Sequence, residues 1–122
     1  MDYWFLMLGS VLALAGMVFH GFIGGKIYMG NPNKSDREPL TKSFSLISWH
    51  TFTIFLFVSA FTLSNSAYNP GLVIAVYPVI AVNLLGMVLF ALLCLGKHRI
   101  LLLMPGAYLM GATALLGRLG IS

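Results

Sequence analysis

The sequence has little charge and almost no cysteine. Charged residues make up 8% of its 122 residues, whereas 59% of the residues are hydrophobic. This composition excludes an ordinary soluble domain of the same length, in which roughly a quarter of the residues are charged. The single cysteine, Cys94, excludes an internal disulfide and a cysteine-based metal cluster within one chain. The basic residues form no stripe, so the net charge of +4 does not indicate a nucleic-acid partner.

Long apolar stretches fill most of the chain. A membrane-spanning helix needs roughly 20 mostly apolar residues, so the length suits four spans with short connections. We predict an all-α integral membrane protein, with one domain over residues 1–122 and four transmembrane helices in an antiparallel up-down bundle. The predicted spans are about 3–26, 40–64, 72–95 and 100–119. The lipid bilayer is therefore the first predicted partner.

The basic residues predict the orientation of the bundle. Six of the seven lie in or beside two loops on one side of it, namely Lys26, Lys34, Arg37, Lys42, Lys97 and Arg99. Because loops rich in lysine and arginine stay in the cytoplasm, both termini are predicted on the non-cytoplasmic side. No targeting peptide is evident before the first span. The expected location is therefore a bacterial inner membrane.

Small residues recur at helical spacing in the first span. Gly9, Ala13, Gly16, His20 and Gly24 are three or four residues apart and share one helical face. Such a face allows another helix to approach closely inside a bilayer. An ionisable side chain within a span usually faces the bundle interior and has a function. His20 is therefore the first candidate site residue.

His50, in the second span, is the second candidate. At ~1.5 Å per residue, His20 and His50 lie roughly 9 and 12 Å from the same membrane face, so the two imidazoles can meet. Three functions fit such a pair: axial ligation of a haem such as haem b, coordination of a metal ion, and a proton-relay or ligand-binding role. In the structural alternative, both histidines hydrogen-bond to backbone carbonyls, to hydroxyls such as that of Thr53, or to each other.

Three further residues are assigned to the predicted ligand site. Gly16 and Gly24 can leave room for a haem between the helices. Trp49 is a candidate for stacking on a ligand, although its direction, about 100° around the helix from His50, favours an interfacial or lipid-facing anchor. The sequence thus predicts a ligand or cofactor site on the cytoplasmic side of the bundle.

Asn83 is the remaining polar residue within a span. A hydrogen bond across helices is the favoured role for it, and the lining of a polar pocket together with Pro78 is the alternative. The sequence has no paired carboxylates within a span and no phosphate-binding glycine loop. These features favour a protein that is not an enzyme.

The layout resembles a group of small, uncharacterised four-helix bacterial inner-membrane proteins. The matching parts are Val18-Phe19-His20-Gly21, Trp49-His50 and Met104-Pro105-Gly106-Ala107. The resemblance implies the four-helix architecture and carries over no activity.

Three functions are compatible with these features. The first is binding of a ligand or cofactor through His20 and His50. The second is that of a non-catalytic accessory subunit of a larger membrane complex. The third is that of a small oligomeric transporter with Asn83 on its path. We expect either a homo-oligomer or a larger membrane complex.

Overall fold

The computed structural model describes residues 1–28 and 38–122. Every regular element in these two ranges is helical, which confirms the predicted all-α class. Lys34 and Arg37, which support the predicted orientation, lie outside the described residues.

The helices follow the apolar stretches of the sequence. Helix α1, Tyr3–Val18, continues into a π-helical segment, Phe19–Gly24, and a short helix α2, Gly25–Tyr28. Helix α3 is the longest and extends over Pro39–Tyr68. A 3₁₀ segment, Pro70–Ala75, leads into α4, Val76–Leu95. A second 3₁₀ segment, Arg99–Leu103, precedes α5, Gly106–Gly120.

Three stretches are long and apolar enough to cross a bilayer. They are Tyr3–Gly24, Pro39–Tyr68 and Pro70–Leu95. At most 28% of the most apolar window in each stretch is buried inside the protein, so most of their apolar side chains point outward. Such a surface requires an apolar solvent, which indicates a membrane protein.

The fourth predicted span is not one continuous helix. Helix α5 has 15 residues and is therefore about 22 Å long, less than the ~30 Å of a bilayer core. Met104 has an extended backbone, with φ −88° and ψ 139°. The reason is steric, because a residue that precedes a proline is disfavoured in the helical region. The helix therefore begins again only at Gly106.

The helices pack unevenly around the bundle. Helix α1 packs against α3 and α5, and α5 also packs against α4. Helices α3 and α4 contact each other only sparsely, although they are consecutive. The bundle is therefore open along one side.

One end of the bundle is closed. Its buried side chains are Leu6, Leu63, Ala67, Val76 and Val79. The Asp2 amide donates a hydrogen bond to the Gly120 carbonyl at 2.7 Å, which ties the two ends of the chain together. A Cβ atom at Gly120 would lie 2.6 Å from Leu6 Cγ, so the backbone of α5 lies directly against α1 here. The opposite end, where Gly24 lies, contains a cavity.

Candidate functional site

A cavity of about 190 Å³ lies among α1 with its π-helical extension, α3, α4 and α5. It is lined by Gly16, Phe19, His20, Gly24, Trp49, Phe52, Leu56, Phe90, Met104, Pro105, Gly106, Leu109 and Met110. His20 is the only ionisable side chain among the described residues of this wall. Because an apolar cavity of roughly 150 Å³ can bind benzene, this one has room for one substituted ring.

The main chain at His20 is itself unusual. His20 lies in the π-helical segment Phe19–Gly24. In a π-helix each N–H pairs with the carbonyl five residues earlier, and such segments are rare and occur frequently at functional sites. The His20 carbonyl accepts a hydrogen bond from Trp49 Nε1 at 2.9 Å. The π-helical segment is thus fixed to α3 through its main chain.

The imidazole of His20 is held on three sides by α3. It stacks on the indole of Trp49, with ring centroids 4.0 Å apart and planes 16° apart. The ring of Phe52 meets it at a steeper angle, with centroids 4.9 Å apart. Its Nδ1 atom lies 2.9 Å from Thr53 Oγ1. The ring therefore has one defined orientation in the cavity wall.

Thr53 is the hydrogen-bond partner of His20 Nδ1. Its hydroxyl oxygen lies 2.9 Å from Nδ1, where the donor depends on the tautomer of the imidazole, and 3.3 Å from the Trp49 carbonyl, to which it can donate. A neutral imidazole has one donor nitrogen and one acceptor nitrogen. When Thr53 donates to the Trp49 carbonyl, Nδ1 carries the proton and Nε2 is left as an acceptor, and none of the described residues hydrogen-bonds to it. Such a nitrogen can accept a hydrogen bond from a ligand or coordinate a metal ion.

Two glycines allow α3 to come this close. A Cβ atom at Gly21 would lie 2.8 Å from Thr53 Cγ2. A Cβ atom at Gly24 would lie 3.0 Å from Trp49 Cζ2 and 3.2 Å from the Phe19 carbonyl oxygen. Any larger residue at Gly21 or Gly24 would therefore displace the side chains that hold the imidazole.

The structure brings most of the predicted site residues together. Gly16, His20, Gly24 and Trp49 all line the cavity. Thr53 does not line it but fixes the imidazole from behind. The residues predicted for a ligand site thus lie around one cavity, with one exception.

The exception is His50. Its side chain is exposed and does not line the cavity. The reason is the orientation of α3 about its own axis. Trp49, Phe52 and Leu56 lie on the face of α3 that points toward the cavity. His50 lies about 100° around the helix from Trp49. The expectation that Trp49 faces the lipid is wrong for the same reason.

A metal site made by both histidines is not supported either. Within residues 1–28 and 38–122, no three histidine, cysteine, aspartate or glutamate side chains come together in a group that could hold an ion. Among the described residues, His20 is the only histidine, cysteine, aspartate or glutamate that lines this cavity.

Asn83 lies outside the described cavity wall. It is completely buried, and its Nδ2 atom donates to the Val79 carbonyl at 2.9 Å and across to Ser59 Oγ on α3 at 3.4 Å. Its Oδ1 atom has no hydrogen-bond partner among the described residues. The predicted hydrogen bond across helices is thus present, and neither Asn83 nor Pro78 is among the described residues that line the cavity.

Sequence reasoning missed the part of the wall that comes from α4 and α5. Phe90 and Met110 line the cavity. So do Met104, Pro105 and Gly106, where the helical backbone is interrupted. The dipeptide Pro105-Gly106 was the available signal, because it marks a break in an otherwise apolar helix. Comparison of the chain with models of protein families, with curated proteins and with solved structures found no match.

Proposed function

We propose that this protein binds, within the membrane, a small aromatic ligand that carries a hydroxyl group. The observation that carries the proposal is the apolar cavity of about 190 Å³ with the His20 imidazole in its wall. In the tautomer in which Thr53 donates to the Trp49 carbonyl, His20 Nε2 is the hydrogen-bond acceptor of this cavity. A phenol or a lipid-soluble quinol combines one aromatic ring with the hydroxyl donor that this nitrogen requires.

The remaining wall suits a ring. Trp49, Phe52 and Phe90 surround the space with aromatic side chains, which favour stacked or edge-on contacts with another ring. The Trp49 N–H is already bonded to the His20 carbonyl. The cavity therefore favours a ligand that donates a hydrogen bond over one that needs to accept it.

A haem would use the same nitrogen but is a poorer fit. Iron in a haem is commonly held by one histidine nitrogen. The cavity volume, however, lies below the roughly 300–1,000 Å³ of most pockets for drug-sized ligands. A porphyrin is a four-ring macrocycle and needs considerably more space than one substituted ring.

Tryptophan fluorescence provides a direct binding assay. The chain has two tryptophans, and Trp4→Phe leaves Trp49 as the only emitter. We expect a tail-less benzoquinol to quench Trp49 in nanodiscs. The dimethyl ether of the same ring should bind about two- to twelvefold more weakly, because one hydrogen bond contributes roughly 0.5–1.5 kcal/mol.

Two matched variants test the role of the imidazole. His20→Phe keeps a ring in the wall but removes the acceptor, so it should abolish the preference for the quinol over its dimethyl ether. His50→Phe makes the same change at an exposed position and should keep that preference. Equal affinity of the two probes for the parent protein would refute the proposal. A Soret absorption band that His20→Phe removes would replace it with haem binding.

The membrane arrangement is part of the same proposal. We infer four crossings in a bacterial inner membrane, the last made of Arg99–Leu103 and Gly106–Gly120 together, with both termini on the non-cytoplasmic side. The positions of Lys26 and Lys42 then place the cavity in the cytoplasmic half. Cysteine labelling from one side, at Asn69→Cys and His98→Cys in a Cys94→Ala chain, checks this orientation. Assembly into a homo-oligomer or a larger complex stays a prediction that native mass spectrometry tests.

A further inference from the structure

A second space lies beside the cavity, between α3 and α4. The two helices are joined at the level of the Ser59–Asn83 hydrogen bond. From there toward Leu95 they border a shallow, open crevice of about 580 Å³. Thr51 of α3 and Leu85 of α4 belong to its walls, and both side chains are exposed. The crevice is therefore open to the surface of the bundle.

Two side chains separate this crevice from the cavity. Phe52 and Met110 line both spaces. Met110 lies on Gly86, where a Cβ atom would meet its terminal methyl group and its sulphur. Methionine has an unbranched, flexible side chain, so a partition made by it can move without a change in the backbone. Rotation of Met110 and Phe52 would join the two spaces.

We propose that the crevice holds the apolar tail of the ligand whose ring occupies the cavity, and that the ligand arrives from the bilayer between α3 and α4. This inference rests on the proposed function. The shared walls at Phe52 and Met110 place a ring beside His20 next to the crevice. The sparse contact between α3 and α4 leaves a path to the outer surface of the bundle, which faces lipid if these helices cross the bilayer. The ligand class then narrows from any phenol to a lipid-soluble quinol with an alkyl or isoprenoid tail.

Neighbouring leucines on α4 provide a matched test. Leu85 lines the crevice, whereas Leu84 is exposed and does not line it. Leu85→Phe fills part of the crevice, and Leu84→Phe makes the same change beside it. The two probes are a tail-less benzoquinol and the same ring with a decyl tail, measured by Trp49 quenching in identical nanodiscs. Partition of each probe into the bilayer is then the same for both variants.

We expect Leu85→Phe to weaken binding of the tailed probe about fourfold, the effect of displacing one buried methylene of the tail at about 0.8 kcal/mol. Leu84→Phe should leave it unchanged, and the tail-less probe should bind both variants equally. If Leu85→Phe leaves the tailed probe unaffected, or both variants weaken it equally, the crevice is not the tail site, while ring binding stands. If Leu85→Phe alone alters the oligomeric state, a second copy covers the crevice, and the inference is overturned. If neither probe binds the parent protein, the proposed function fails first.

Discussion

Removal of the Thr53 hydroxyl tests the hydrogen-bond network most directly. Thr53→Val keeps the shape of the side chain and removes only the oxygen that lies 2.9 Å from His20 Nδ1 and 3.3 Å from the Trp49 carbonyl. The first hydrogen bond is short and connects two helices, whereas the second is long and lies within α3. We therefore expect most of the effect to come from the loss of the bond to His20.

The magnitude follows from the environment of the bond. Hydrogen bonds between membrane helices contribute about 0.6 kcal/mol on average and up to about 1.7 kcal/mol. The half-buried His20 Nδ1 would also be left without its hydrogen-bond partner, which adds a desolvation penalty. We expect Thr53→Val to lower the free energy of unfolding by about 1 kcal/mol. We also expect it to weaken the preference for quinol over dimethyl ether, since the imidazole is then free to present either nitrogen.

Equilibrium unfolding in mixed micelles, followed by Trp49 fluorescence, measures this change. Thr51→Val is the matched control, because Thr51 is exposed and lies on the same helix, whereas the hydrogen bond to His20 Nδ1 comes from Thr53. A double-mutant cycle of His20→Ala with Thr53→Val isolates the pair. A coupling energy within the roughly 0.3–0.5 kcal/mol found for independent sites would refute the assigned network. So would equal destabilisation by Thr53→Val and Thr51→Val.

Two further predictions concern the glycine at the stacked rings and the buried asparagine. Gly24→Ala should push the Trp49 indole off the imidazole and thereby shift the tryptophan emission. Gly25→Ala is the control, because its Cβ atom would lie 3.7 Å from Trp49 Nε1 and should not displace the ring. Equal emission shifts in the two variants would contradict the stacked arrangement. Asn83→Leu should change the free energy of unfolding by less than about 1 kcal/mol, because the lost hydrogen bonds are offset by removal of an unpaired buried oxygen. A larger loss, measured by unfolding in mixed micelles, would show that Oδ1 has a partner such as bound water.

The helices were largely predictable because an apolar solvent leaves few alternatives. A backbone in lipid has to satisfy its hydrogen bonds internally, so a long apolar run becomes a helix. The predicted third span, about 72–95, thus corresponds to Pro70–Leu95. The second span was predicted to end near residue 64 but continues to Tyr68. Polar Asn65 does not end it, because its side chain donates to the Phe61 carbonyl within the helix.

The site was predictable only on the first helix. On α1 and its extension, small residues mark the inward face, and Gly16, His20 and Gly24 all reach the cavity. On α3 no such contrast exists, because large apolar side chains occur all around the helix. A helix that is hydrophobic on every side gives no information about which side faces its neighbours. Whether Trp49 or His50 pointed inward therefore depended on packing that the sequence pattern does not encode.

The cavity lies where the backbone departs from the α-helix, and this coincidence supports a function there. The π-helical segment Phe19–Gly24 and the break at Met104 and Pro105 belong to two different parts of the chain, yet both line the same space. Irregular backbone at membrane depth is tolerated only where it is buried in protein or lines a cavity. The closed end of the bundle also contains a 3₁₀ segment, Pro70–Ala75, but this segment forms the turn between two helices. At the cavity, by contrast, both irregular segments face one shared space, which supports the proposed ligand site.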